Sequence, residues 1–249
     1  MRIFLACTGT LEERDKLKEC KYILESFYSG EKSCLKALQA VGSENFLLDS
    51  GAFSYMSGAK CTKEILEEYL DRYIKFINDN NVKYFFELDV DTIFGIEYVE
   101  ELRNKLEKGT GKRCIPVWHK GRGIEYWKKM VDKYNYVAIG GLVFHVKQRE
   151  YPLIKKMVDY AYQRGVKVHG LGFTKTRILE KDNWKFYSVD SSSWLSSASR
   201  GRNLQVFKNG MVKYLKFEKR DVKAKINKMV TFNFLEWCKY QKYMDKKGW

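Results

Sequence analysis

The sequence predicts an α/β protein of the (β/α)8 TIM-type barrel class, with an irregular last unit made of a β-hairpin and a basic C-terminal helix. Three observations carry that expectation. Short apolar runs alternate with longer charged segments about seven times along the 249 residues, the pattern of right-handed βαβ units. The runs are apolar at successive positions, as strands covered on both faces require. Nearly every run ends in a polar residue or a glycine pair, and a barrel gathers such ends at one mouth, whereas an open sheet spreads them along an edge.

The runs, in order, are Ile3 to Cys7, Phe46 to Leu48, Tyr84 to Leu88, Cys114 to Trp118, Tyr136 to Ile139, Val166 to Val168 and Phe186 to Val189. They deliver Asp49, then Asp89 with Asp91, His119, Gly140-Gly141, His169-Gly170 and Asp190. Between them, Ile65, Leu66, Tyr69, Tyr73, Ile74 and Ile77 fall at helical spacing, as do Tyr98, Val99, Leu102 and Leu106. After Asn203 the stretch LQVFKNGMVKYLKF reads as a hairpin turning at Asn209-Gly210. The eighth strand is the weakest element, so the hairpin is expected to close the barrel irregularly. From Lys219 the spacing of Val222, Ile226, Met229 and Val230 predicts a helix. No linker or repeat interrupts the chain, so residues 1–249 read as one barrel domain, with 204–249 as hairpin plus basic helical extension.

Composition narrows the function classes. Hydrophobic residues make up 45% and only 2 prolines occur, which excludes a disordered or collagenous chain. Lys and Arg number 46 against 31 Asp and Glu, a net charge of +15. Such an excess attracts polyanions, chiefly nucleic acid or an anionic membrane surface, or belongs simply to a soluble basic enzyme. Between Lys213 and Lys247 stand 11 Lys or Arg and 4 Asp or Glu, interleaved with Tyr214, Phe217, Phe232, Phe234 and Trp237. That pattern suits phosphates and unpaired bases, or a solvated helix with its aromatics turned inward. No apolar segment reaches membrane-spanning length and the N-terminus does not read as a signal peptide, so an intracellular, cytoplasmic protein is expected. Six cysteines at 7, 20, 34, 61, 114 and 238 lack the close pairs a zinc ribbon needs, and no metal is expected.

Three aspartates at strand ends invite a chemical reading. One such residue is commonly a helix cap. Several at one mouth can divide labour, one carboxylate attacking a sugar carbon while another handles the proton of the leaving group. The glycine pair in YVAIGGLVF permits close backbone approach to a flat heterocycle or a phosphate, with Leu142 beside it, or simply makes a tight turn.

Taken in order, these motifs resemble the tRNA-guanine transglycosylase family. Its Asp-Ser-Gly-Gly followed by an aromatic is similar to Asp49-Ser50-Gly51-Ala52-Phe53, and its Phe-Asp-x-Cys to Leu88-Asp89-Val90-Asp91. Its Gly-Gly-Leu is similar to Gly140-Gly141-Leu142, its Met-Gly-x-Gly to His169-Gly170-Leu171-Gly172, and its catalytic aspartate with Ser-Gly-Arg-Asn to Asp190 with Arg200-Gly201-Arg202-Asn203. The resemblance spans roughly residues 46 to 203. It implies that Asp190 attacks C1′ of a guanosine to form a covalent sugar-enzyme intermediate and that Asp49 exchanges protons with the departing and incoming bases. It further implies that Phe53 stacks on the heterocycle and Asp89 binds its Watson-Crick edge. Ser50, Asp91, His119, the Gly140-Gly141-Leu142 backbone, His169 and Gly170 would complete the base pocket. No cofactor is implied, because a glycosidic bond is exchanged and not hydrolysed.

The departures bear on the polymer. The Cys-x-Cys-x-x-Cys module of the tRNA enzymes is absent, Pro-Thr-Arg after the nucleophile becomes SSSWLSSAS, a pocket Cys becomes Asp91, and the Gln region reads Trp118-His119. Small zinc-free relatives of bacteria and their phages insert 7-deazaguanine bases into DNA, and this chain is more similar to those. The expected partners are therefore DNA, with tRNA as the alternative, and a free 7-deazaguanine base; no membrane is expected. Lys120, Arg122, Arg200 and Arg202 are the candidate phosphate contacts. A barrel that binds nucleic acid without catalysis and a small-molecule barrel enzyme remain competing readings. Oligomeric state, a homodimer included, is left open.

Overall fold

The computed structural model describes residues 1–52, 61–143, 145–200, 203–215 and 226–248. Strands β1 (Arg2–Ala6), β2 (Ile23–Ser26), β3 (Phe46–Asp49), β4 (Val117–Trp118), β5 (Tyr136–Ile139), β6 (Lys167–Gly170) and β7 (Ser188–Ser191) form one parallel sheet. Its order is β3-β2-β1-β7-β6-β5-β4, and it curls into a half-barrel. Helices α1 (Glu31–Val41), α2 (Lys63–Asp79), α3 (Asp91–Phe94), α4 (Ile96–Thr110), α5 (Gly123–Lys133), α6 (Tyr151–Tyr162), α7 (Thr176–Lys181), α8 (Ser193–Ser199) and α9 (Ile226–Lys246) follow the strands.

Alternation along each strand builds two apolar layers. Ile3, Leu5, Ile23, Leu48, Val137, Ile139, Val168 and Val189 face the helices. Phe4, Ala6, Leu24, Leu47, Phe86, Ile115, Val117 and Ala138 pack together on the concave side. On α2, the 3.6-residue spacing buries Leu66, Tyr69, Leu70, Tyr73, Phe76 and Ile77, and Thr62 caps the helix by accepting a hydrogen bond from the Ile65 N–H at 3.3 Å.

Residues Tyr84 to Leu88, expected as a strand, make two isolated parallel bridges instead of a regular ladder: Leu48 with Phe85, and Phe86 with Ile115. The Leu48 N–H donates to Tyr84 O and the Phe86 N–H to Leu48 O, both at 3.0 Å, while the Ile115 N–H donates to Phe85 O at 2.8 Å. The Tyr73 hydroxyl lies 3.1 Å from both Leu48 O and Phe86 O, tying the same edge together.

Two sequence expectations are corrected. Ile23–Ser26 is a strand paired on both sides, with β1 and with β3; only Ile23 and Leu24 are apolar in it before Glu25, too short a run to stand out. The expected hairpin exists as β8 (Leu204–Lys208) and β9 (Met211–Leu215), but it is a separate two-stranded sheet, because β7 pairs directly with β1 and leaves no slot for it. Asn209 and Gly210 both take positive φ, 55° and 76°, as a tight two-residue hairpin turn demands.

The C-terminal helix α9 covers the bottom of the sheet and α8. Two buried amides anchor it: the Gln241 side chain donates to Ile3 O and Tyr22 O, each at 2.7 Å, and Asn233 accepts from the Gln205 N–H at 2.7 Å while donating to Trp194 O. Phe234 and Trp237 lie in the core, whereas Phe232 and Tyr214 are exposed. The helix aromatics are thus largely packing residues, which settles the inward reading for Phe234 and Trp237; Phe217 lies outside the described residues. Among the described residues no helix is long and apolar enough to cross a membrane.

Candidate active site

The concave face carries polar residues at its C-terminal end, where the side-chain alternation of each strand continues beyond the apolar layer. Asp190 on β7 pairs in register with Phe4 of β1, and Ser188, two residues earlier on the same face, stands opposite His169 of β6. Ser188, His169 and Asp190, with Tyr136, form a polar chain through the sheet. The Tyr136 hydroxyl lies 2.6 Å from Ser188 Oγ, which lies 2.6 Å from His169 Nδ1. His169 Nε2 is 3.2 Å from Asp190 Oδ1, and the Gly172 N–H donates to the same oxygen at 2.7 Å. A carboxylate can only accept, so His169 carries its proton on Nε2 when Asp190 is ionised.

Both contacts fall on Oδ1. Asp190 Oδ2 has no hydrogen bond to a described residue, and the carboxyl lines a cleft of about 1430 Å3. One oxygen is held while the other is presented. His169 is fully buried between Phe4 and Phe86, whose ring centroids lie 6.0 and 5.3 Å away. It therefore sits beneath Asp190 and does not line a base pocket as expected; the sequence signal that could have shown this is the period-two placement of Ser188 and Asp190. Gly172 takes φ 69°, and a Cβ there would stand 2.5 Å from Val143 Cγ2, so only glycine delivers its N–H to Asp190 in this turn.

Asp49 ends β3, opposite Ser26 of β2. Its Oδ2 accepts the Gly51 N–H at 3.0 Å, and Gly51 takes φ 75° with a Cβ-forbidding contact to Tyr28. Burial, then the negative charge of Asp89 and, more weakly, of Asp190 push the Asp49 carboxyl up to about 7, against the pull of Gly51 and Ser26. Ser50 is fully buried, and its carbonyl accepts the Tyr69 hydroxyl at 2.6 Å. Phe53 and Arg202 lie outside the described residues.

Asp89 Oδ2 is 2.6 Å from His119 Nε2. Burial disfavours the His119 imidazolium, but the hydrogen bond and charge of Asp89 outweigh it and raise its proton affinity. Gly140 is required by this same histidine, since a Cβ there would meet His119 Cε1 at 2.5 Å and Nδ1 at 2.9 Å. Gly170 likewise makes room for Phe186. The close approaches that the glycines permit are to protein side chains. Gly141 turns the chain at φ 71°, and the buried Leu142 and the exposed Val143 reach the cleft wall.

Arg122, expected on a phosphate, is a correction. Its side chain is 1% exposed and lies inside, donating to Asp91 from Nε at 3.2 Å and Nη2 at 2.7 Å, and to Glu87 from Nη1 at 2.8 Å. Glu87 also takes Arg103 Nε and, at 2.9 Å, the Val117 N–H. Two buried carboxylates need compensating cations, and Arg122 and Arg103 supply them. This arrangement also lowers the Asp91 carboxyl: burial opposes ionisation, and the Arg122 hydrogen bond and charge overcome it. Asp91 is therefore committed to Arg122. Lys120 is exposed but ion-paired with Glu150. Arg200 is exposed on the cleft wall.

Glu25 at the end of β2 is a buried carboxyl that the sequence reading passed over; Thr8 Oγ1 donates to it at 2.7 Å and the Gly9 N–H at 3.2 Å. Burial raises its proton affinity. Among the described residues no cluster of three or more His, Cys, Asp or Glu side chains is arranged to hold a metal ion. No protein-family model matches the chain, and no curated protein matches it.

Proposed function

We propose that the chain is a guanine transglycosylase that exchanges guanine in DNA for a 7-deazaguanine base through a covalent aspartyl-sugar intermediate. The observation that carries this reading is the division between two carboxylates on one concave face: Asp190, held through Oδ1 at the cleft wall, and Asp49, raised to about 7 by burial and by Asp89. Retaining glycosyl chemistry needs two carboxyl groups, one to attack the sugar carbon and one to carry the proton.

In this reading Asp190 Oδ2 forms a bond to C1′ of the target nucleotide as the C1′–N9 bond breaks, and Asp49 gives its proton to the departing guanine. The incoming 7-deazaguanine then loses its N9 proton to the Asp49 carboxylate and attacks C1′, releasing Asp190. Proton and electron pair are returned, so the cycle closes without an external energy source. A carboxyl that titrates near 7 is suited to both directions of transfer. His169 acts as a positioning residue that keeps Asp190 Oδ1 engaged. The same reading has the Phe85–Phe86 bridges complete a closed (β/α)8 barrel between β3 and β4, bringing Asp89 and His119 to the mouth that holds Asp49.

The test is incorporation of labelled guanine or 7-cyano-7-deazaguanine into duplex DNA, single-stranded DNA and tRNA, with Asp190→Asn as the control. Label entering DNA only with Asp190 intact is the expected result. Label entering tRNA alone would reassign the polymer, and binding without label in any polymer would leave a non-catalytic nucleic-acid-binding protein.

A further inference from the structure

The cleft beside Asp190 is far larger than a single base requires. At about 1430 Å3 it exceeds the roughly 300–1,000 Å3 that enclose a drug-sized ligand. It runs from Asp190 past α7 to the β8-β9 hairpin, where Val212 and Tyr214 line it. Its cations are Lys175, Arg177 and Arg200. All three are exposed, and none makes an ion pair or side-chain hydrogen bond with a described residue. In contrast, Lys120, Lys239 and Lys247 nearby in the fold are each paired with a glutamate. Ser192, Ser193 and Ser196 add hydroxyls to the same wall. Asp182 and Asp190 are the acids of the wall. Tyr214 is 63% exposed at the far end, a large aromatic that the fold leaves in water.

We infer that this cleft is a strand-binding site for unpaired nucleotides flanking the reactive one, with Lys175, Arg177 and Arg200 on successive phosphates and Tyr214 stacking on a neighbouring base. The inference rests on the proposed transglycosylase reading for the position of the reactive nucleotide, and not for binding itself. Unpaired cations and hydroxyls along a groove match a phosphodiester backbone, and an exposed ring beyond them matches a base face, the combination that holds single strands without sequence preference. The separate hairpin has a purpose in this arrangement: β9 carries Val212 and Tyr214 to the far wall of the groove. A deoxyribose and a ribose strand share this chemistry.

The experiment is fluorescence anisotropy with the full chain and labelled single-stranded DNA, single-stranded RNA and duplex DNA of equal length, each over a salt series. Wild type is expected to bind one single strand more tightly than the duplex, the tighter polymer identifying the source. Tyr214→Ala should weaken that binding about tenfold. Replacing Lys175, Arg177 and Arg200 together by Gln should flatten the slope of log affinity against log salt by about 2, as loss of three phosphate contacts to a single strand requires. Unchanged affinity and slope in both cleft variants, or preference for the duplex, would overturn the inference. Base exchange measured on the same samples judges the transglycosylase reading separately: strand binding through the cleft with no exchange by wild type would remove the chemistry and keep the site.

Discussion

Replacing Asp49 by Asn tests the site through stability. In the folded protein this carboxyl moves from its ordinary 3.8 to about 7, because it is buried and faces Asp89 and Asp190. The folded state therefore binds the proton more tightly than the unfolded chain. Stability from this group is fully present below pH 4, is lost as the pH rises, and is gone above pH 7. Each tenfold change in proton affinity corresponds to about 1.4 kcal/mol, so the full loss has a ceiling of about 4 kcal/mol. Asp49 retains some exposure, and water at its edge reduces this to about 2–4 kcal/mol. Asn keeps an oxygen for the Gly51 N–H and has no charge, so its curve lacks this component. Urea unfolding of both proteins at pH 4 and pH 8.5 should show Asp49→Asn gaining about 2–4 kcal/mol relative to wild type at the higher pH. In an Asp89→Asn background the gain should shrink, since Asp89 is the charge that contributes most to the shift. A difference between the two proteins that is the same at both pH values would mean that Asp49 ionises as a surface aspartate does, and the proton-transfer role would fail with it.

Two further outcomes follow from the contacts. Arg122→Leu should lower stability by about 3–5 kcal/mol in urea unfolding, because Asp91 and one oxygen of Glu87 lose their cation, while the salt dependence of polynucleotide binding stays as in wild type; a stable variant with weaker binding would return Arg122 to the surface role. His169→Leu should lower kcat for base exchange roughly a hundredfold with KM little changed, since Asp190 Oδ1 loses one of its two holders, and His169→Gln, which keeps an N–H in reach, should recover part of the rate; equal losses in both variants would argue that His169 serves packing alone.

The alternation of apolar runs with helical spacing was enough to place most strands and the large helices, because burying both faces of a strand or one stripe of a helix leaves a local pattern in the residues. Phe46 to Asp49, Tyr136 to Ile139 and Ile226 to Tyr240 are examples, and the Asn209-Gly210 turn was legible because few residues other than this pair tolerate two positive φ values. The strand-end aspartates were likewise visible as polar residues following apolar ones. Partners were not visible, since a hydrogen bond between neighbouring strands joins residues far apart in the chain. Arg122 looks like any exposed cation until Glu87 and Asp91, 35 and 31 residues earlier, are seen enclosing it. His169 looks like a pocket residue until the β6-β7 register sets it against Ser188 and under Asp190. The short strand Ile23–Ser26 is held by its neighbours more than by its own composition. Local chemistry, then, is written residue by residue, whereas the proton affinity of Asp49, the free oxygen of Asp190 and the cleft beside it exist only once the sheet curls and draws distant charges within a few ångströms of one another.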